Sequence, residues 1–127
     1  MLRIRRSLLS ELLAHARRED PRECVGLLLG VGGVATEAVA LENVASRPEV
    51  RYRAEPRQLL AALRKAEEAG SQVMAIYHSH PRGPARPSAT DLAEASWRVP
   101  YVIIGLSAGE VRAFLLPQGE EVELIAV

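Results

Sequence analysis

The sequence predicts an α/β fold, with one mixed β-sheet sandwiched by a few helices. Three observations lead there. Residues 24–31, 73–77 and 101–106 are nearly continuous apolar runs of strand length, the pattern of strands buried on both faces. Residues 7–18 and 56–69 instead carry apolar side chains at helical spacing. Gly32-Gly33 and Gly109 mark turns between further strand-like stretches. At 127 residues and 48% apolar composition, the chain is expected to form one domain, residues 1–127, around a single core.

Taken in order, Leu2 and Ile4 suggest a short first strand. Ser7 reads as the N-cap of a helix reaching about residue 18, with Leu8, Leu9, Leu12, Leu13 and Ala16 as its apolar stripe. His15 lies off the strongest part of that stripe and is expected at the surface. Pro21 marks the exit. Strand 24–31 turns at Gly32-Gly33 and returns antiparallel as 34–41. Asn43, Ser46 and Pro48 make 42–50 a loop, and the alternating 51–54 reads as a short strand. Pro56 opens a second helix, expected to bury Leu59, Leu60 and Leu63 and to stop at Gly70. After strand 73–77, Pro81 prevents further pairing. Ser88 reads as the cap of a third helix carried by Leu92, Ala93, Ala95 and Trp97. Strands at 101–106, 111–116 and 121–127 complete the chain, and Trp97 and Tyr101 read as core rather than as a binding platform.

Acidic and basic residues balance at 16 each, so no bulk field attracts nucleic acid. The apolar runs are too interrupted for a membrane span, and the first residues lack the apolar core of a signal peptide. The lone Cys24 excludes an internal disulfide framework and suits the cytoplasm. A homodimer is left open.

The chemistry concentrates in His78-Ser79-His80-Pro81 and Ser88-Ala89-Thr90-Asp91. Residues two apart on a strand share a face, so His78 and His80 point together and Ser79 points away. Two such histidines alone could equally be satisfied core residues. With Asp91 brought beside them by the proline-stiffened loop 82–87, they make a three-ligand zinc site with an open, catalytic position. Ser88 and Asp91 also have the form of a capping box, and the two roles are compatible. Glu23 by composition alone is the charged edge of a strand. Cys24 beside it is directed to the opposite face and reads as a small buried apolar residue, not a nucleophile. Arg82 and Arg86 read as solvated loop charge or as contacts to an acidic substrate.

His-x-His, seven residues, Ser, two residues, Asp resembles the signature of the JAMM (MPN+) metalloprotease family, and Glu23-Cys24-Val25-Gly26 before an apolar run resembles its upstream element. The resemblance covers most of the chain. It implies the JAMM/MPN fold, related to the cytidine-deaminase-like fold, and one Zn²⁺ per chain held by His78, His80 and Asp91. It gives Glu23 the role of general base and Ser88 that of oxyanion stabiliser; Glu37, Glu42 and Glu55 are the fallback candidates if Glu23 points elsewhere. It further implies hydrolysis of the amide bond after the C-terminal Gly-Gly of a ubiquitin-like sulfur-carrier protein, whose tail would lie along a sheet edge. Release of cysteine from a carrier–cysteine adduct is an alternative within the same chemistry. A non-catalytic MPN scaffold is an alternative outside it, opposed by the presence of every expected ligand.

Overall fold

The computed structural model describes residues 1–127. The chain runs β1 (Leu2–Ile4), α1 (Arg6–Glu19), β2 (Val25–Val31), β3 (Val34–Leu41), α2 (Pro56–Glu68), β4 (Gln72–His80), α3 (Ala89–Glu94), β5 (Tyr101–Gly105), β6 (Glu110–Leu115), β7 (Glu120–Val122) and β8 (Leu124–Ala126). All eight strands join one mixed sheet in the order β7-β6-β5-β4-β2-β3-β1-β8. The expected α/β fold is the one observed.

The C-terminal segment departs from expectation. It is not one strand but two, β7 on β6 and β8 parallel to β1, at opposite ends of the strand order. A flat eight-stranded sheet would hold those edges about 34 Å apart at ~4.8 Å per strand. Only Glu123 separates β7 from β8, so the sheet curls until its two ends approach each other.

Each sheet face carries its own core. One packs Leu8, Leu12 and Ala16 of α1 against Leu28, Ala75, Tyr77 and Val102. The other packs Ala62 and Ala66 of α2 against Val25, Leu27, Ile76 and Ile103. Leu60, expected inside, is 49% exposed, whereas Leu59 and Leu63 pack partly buried against this core beside the buried Ala62 and Ala66. Residues 51–54 form only an isolated bridge from Ala54 to Asn43, not a strand. Ser7 lies within α1, which begins at Arg6 after Arg5 and has no side-chain cap.

His15 also overturns its expectation. It is buried, with Nδ1 sharing a 2.8 Å hydrogen bond with the Tyr77 hydroxyl. His15 follows Leu8 by seven residues and Leu12 by three, which places it on the buried stripe after all. Burial is the main cause holding its pKa below the ordinary value, helped by Arg18 and opposed by Glu19. The unfolded ring therefore binds a proton that the native ring resists. Stability contributed here is present above the unfolded pKa of about 6.5 and is lost as pH falls through the native value. Thermal melts of wild type and His15→Gln between pH 7 and 5 should show a smaller acid-side loss in the variant.

The Tyr77 ring lies across β2 at Gly26. A Cβ at Gly26 would come 2.4 Å from the ring and hydroxyl of Tyr77. Gly26→Ala must displace a buried, hydrogen-bonded ring and should destabilise the protein by about 1–3 kcal/mol in denaturant melts.

Candidate active site

Antiparallel pairing of β2 with β4 sets Val25 opposite His78, and the Ser79 N–H donates to the Cys24 carbonyl at 3.2 Å. Two places further, that register sets Glu23 beside His80. Alternation sends Val25 and Ile76 to the α2 face and Cys24 and Tyr77 to the α1 face. His78 and His80 follow Ile76. Ser79 faces the other way, and its Oγ accepts the Cys24 N–H at 2.8 Å. The expected opposition of Cys24 and Glu23 holds. The Cys24 thiol, pushed up to about 12 chiefly by burial, is no nucleophile at neutral pH.

Beyond Pro81 the chain loops over the end of β5. Gly105 allows this, because a Cβ there would meet the Ala85 backbone nitrogen at 2.7 Å. The loop delivers Ser88 as the N-cap of α3. The Asp91 N–H donates to Ser88 Oγ and the Ser88 N–H to Asp91 Oδ2, both at 3.0 Å, so the capping box is complete. The helix ends at Glu94, leaving Ala95 and Trp97 outside it and Leu92 partly exposed. Ser96 and Trp97 donate backbone N–H bonds at 3.0 Å to the hydroxyl of buried Tyr101.

The cap turns Asp91 toward the histidines. His78 Nε2 and His80 Nε2 are 3.2 Å apart, and Asp91 Oδ2 lies 3.1 Å from the first and 3.0 Å from the second. His80 Nδ1 lies 3.0 Å from the Pro84 carbonyl, an acceptor that holds the ring proton there and leaves Nε2 free. The ring of Tyr52 stacks on His78 with centroids 4.3 Å apart. Glu23, His78 and His80 also bring donor atoms to within 4.8 Å of one another.

Burial pushes the Glu23 carboxyl up to about 8, with His80 opposing and Asp91 adding. Asp91 is the reverse. Burial raises its pKa, but the contacts of Oδ2 with His78 and His80 and the hydrogen bond from the Ser88 N–H outweigh that and hold the carboxyl well below the usual range. Burial lowers the pKa of His78 despite Asp91; at His80 burial is outweighed by Asp91 and Pro84, and the value is raised.

This donor set suits a divalent cation. Ligand atoms about 2.0–2.1 Å from a tetrahedral zinc lie about 3.3 Å apart, close to the observed triangle. Glu23 Oε1 and His78 Nδ1 are buried without a hydrogen-bond partner in the protein, so the cluster is not satisfied by its own side chains.

Glu23, His80 and Ser88 line a cleft of about 780 Å³ whose rim includes Glu49, Arg82 and Arg86. Glu37 and Glu42 are exposed and Glu55 caps α2, so none of the three fallbacks reaches the site. The histidine strand is paired on both sides, by β2 and β5, and the free edges are β7 and β8. The cleft beside the site is lined by Glu49 and Val50 and by the loop that follows Pro81. Sequence reasoning missed Tyr52, the Pro84 carbonyl and Asn43, a buried amide beside the backbone of Glu23. Asn43 carried only a loop signal.

No helix is long and apolar enough to cross a membrane. Residues 5–117 match the family described as prokaryotic homologs of the JAB domain. A Thermus thermophilus protein named "Probable TtuB-protein conjugate cleaving protease" is 50% identical over 127 residues, covering 100% of this chain and 84% of that protein. A desampylase of Haloferax volcanii is 38% identical over 92 residues, covering 68% of this chain and 66% of the relative. A CysO-cysteine peptidase of Mycobacterium tuberculosis is 36% identical over 98 residues, covering 76% and 66%. Among solved structures, a Desulfitobacterium hafniense protein superposes with TM-score 0.86 at 33% identity, covering 100% of this chain and 93% of that one. The structure described as a JAMM metalloprotease-like zinc site in the proteasome and signalosome gives TM-score 0.62 at 25% identity, covering 100% and 98%. With a family match over most of its length, a full-length relative at half identity and that shared fold, this chain belongs to the prokaryotic JAB-domain family, the JAMM-type proteins.

Proposed function

We propose that this protein is a cytoplasmic zinc metallopeptidase that hydrolyses the amide bond after the C-terminal Gly-Gly of a ubiquitin-like sulfur-carrier protein. The observation that carries this reading is the convergence of two imidazole nitrogens and one carboxylate oxygen, 3.0–3.2 Å apart, beside a buried carboxyl at a cleft. The relatives' names agree with this reading, one being a probable TtuB-protein conjugate cleaving protease and another a desampylase.

In this reading His78, His80 and Asp91 hold zinc. Bound zinc supplies Lewis acidity, bringing water within reach of deprotonation near neutral pH and polarising the scissile carbonyl. Asp91, held ionised, is the ligand carboxylate. Glu23 in its ionised form, unpartnered at Oε1, accepts the proton of the attacking water and passes it to the leaving amine. Ser88 Oγ already accepts from the Asp91 N–H, which leaves its own proton to donate to the developing oxyanion. Ser88→Ala should lower kcat by roughly 10²–10³-fold. Its melting temperature should be followed in parallel, because the same change removes a helix cap worth about 1 kcal/mol.

The 36% identity to a CysO-cysteine peptidase favours a second reading, release of cysteine from a carrier–cysteine adduct. Comparing kcat/KM for a carrier–cysteine adduct and a carrier–lysine isopeptide separates the two. The test of the common reading is zinc content of the purified protein together with cleavage of a carrier extended past Gly-Gly, with and without chelator. About one zinc per chain and chelator-sensitive cleavage is expected. A chain that takes up no zinc when metal is supplied would overturn the ligand assignment and revive a non-catalytic scaffold.

A further inference from the structure

Asn43 is 3% exposed and uses its whole hydrogen-bonding capacity on backbone. Nδ2 donates to the Glu23 carbonyl at 2.9 Å and to the Arg51 carbonyl at 3.0 Å, with the Pro48 carbonyl at 3.4 Å. Oδ1 accepts from the N–H groups of Ala45 and Arg53, both at 3.0 Å. Carbonyls surround one end of the amide and N–H groups the other, so its orientation is set by its partners. Its own carbonyl accepts from Arg22 Nη2 at 2.8 Å.

Glu23 precedes the first paired residue of β2, so no ladder holds it on the strand. Its N–H donates to the Pro48 carbonyl at 2.7 Å and its carbonyl accepts from Asn43. Both backbone groups are thus gripped by loop 43–53, which Asn43 folds. The side chain has no such tether, since Glu23 Oε1 has no protein partner. A carboxylate that passes a proton between water and a leaving nitrogen must keep its oxygens free. Control of its position then falls to the backbone.

We propose that Asn43 is the positioning residue of the proton carrier, clamping the Glu23 backbone so that the untethered carboxylate stays in register with His80. The proposal rests on the reading of Glu23 as proton carrier. An error of about 1 Å in such a group lowers turnover by up to about 100-fold.

Asn43→Asp is the discriminating variant. It keeps an oxygen for the Ala45 and Arg53 N–H groups and turns a second oxygen against the carbonyls of Glu23 and Arg51. Cleavage of a carrier extended past Gly-Gly is measured for Asn43→Asp, Glu23→Gln and the double variant, with zinc content and melting temperature. The expected result for Asn43→Asp is a kcat about 10–100-fold lower, KM within about 3-fold of wild type and about one zinc per chain. In the Glu23→Gln background, by end-point assay, the change should add no further loss. A folded Asn43→Asp with wild-type kcat, a loss that is undiminished in the Glu23→Gln background, or loss of zinc alongside kcat would each overturn the proposal. Full activity of Glu23→Gln alone would instead overturn the reading of Glu23. Should Asn43→Asp not fold, Asn43→Ser replaces it in the same comparison. If neither folds, Asn43 is a fold determinant and the proposal falls.

Discussion

Glu23→Gln should lose about 10²–10⁴-fold in kcat while retaining its fold and its zinc. The amide matches the carboxylate in shape but cannot accept the proton of the attacking water. The fold has little to lose, because the Glu23 side chain gives Oε1 no partner and the residue is held through its backbone. Two carboxylates stand beside the histidine pair, and either could complete the ligand set: Asp91 by its 3.0 and 3.1 Å approaches, Glu23 by its place within 4.8 Å of both. Their environments separate them. Asp91 Oδ2 stands 3.0 and 3.1 Å from the two imidazole Nε2 atoms and takes the Ser88 N–H, whereas Glu23 makes no hydrogen bond to either imidazole and its Oε1 has no protein partner. The first suits a ligand and the second a group that exchanges protons. Kinetics with zinc analysis of the same sample decides the matter, since a Glu23→Gln protein that loses its zinc would exchange the two roles.

Asp91→Asn is the complementary experiment. The backbone N–H of residue 91 still donates to Ser88 Oγ, and an amide oxygen can still accept the Ser88 N–H, so the cap of α3 persists. What is removed is the negative charge between His78 and His80. A neutral amide is a poor zinc ligand, and affinity should fall by more than about 100-fold, beyond the loss seen when only the support of a ligand is removed. Competition with a chelator reads this directly, and cleavage should fail wherever zinc is absent. An Asp91→Asn protein that keeps wild-type zinc affinity would remove Asp91 from the ligand set.

By itself the sequence determined what local chemistry controls. His78 and His80 share a face because strand periodicity is two. Pro81 ends the strand, Gly32-Gly33 turns β2 into β3, and Ser88 with Asp91 forms a cap, each through contacts within a few residues. Those features delimit the elements and bring together most of the candidate site. Only the tertiary structure decided what depends on distant partners. Spacing sets His15 on the buried side of α1, but the group that satisfies its ring there is the Tyr77 hydroxyl, 62 residues away. The chain's last segment splits because a curling sheet offers it two edges. Glu23 lies beside the histidines because β2 pairs with β4 in one register and Asn43 holds the residue before the ladder begins. Short-range patterns carry secondary structure and capping, but register, sheet closure and the pairing of buried polar groups are settled only when the whole core packs.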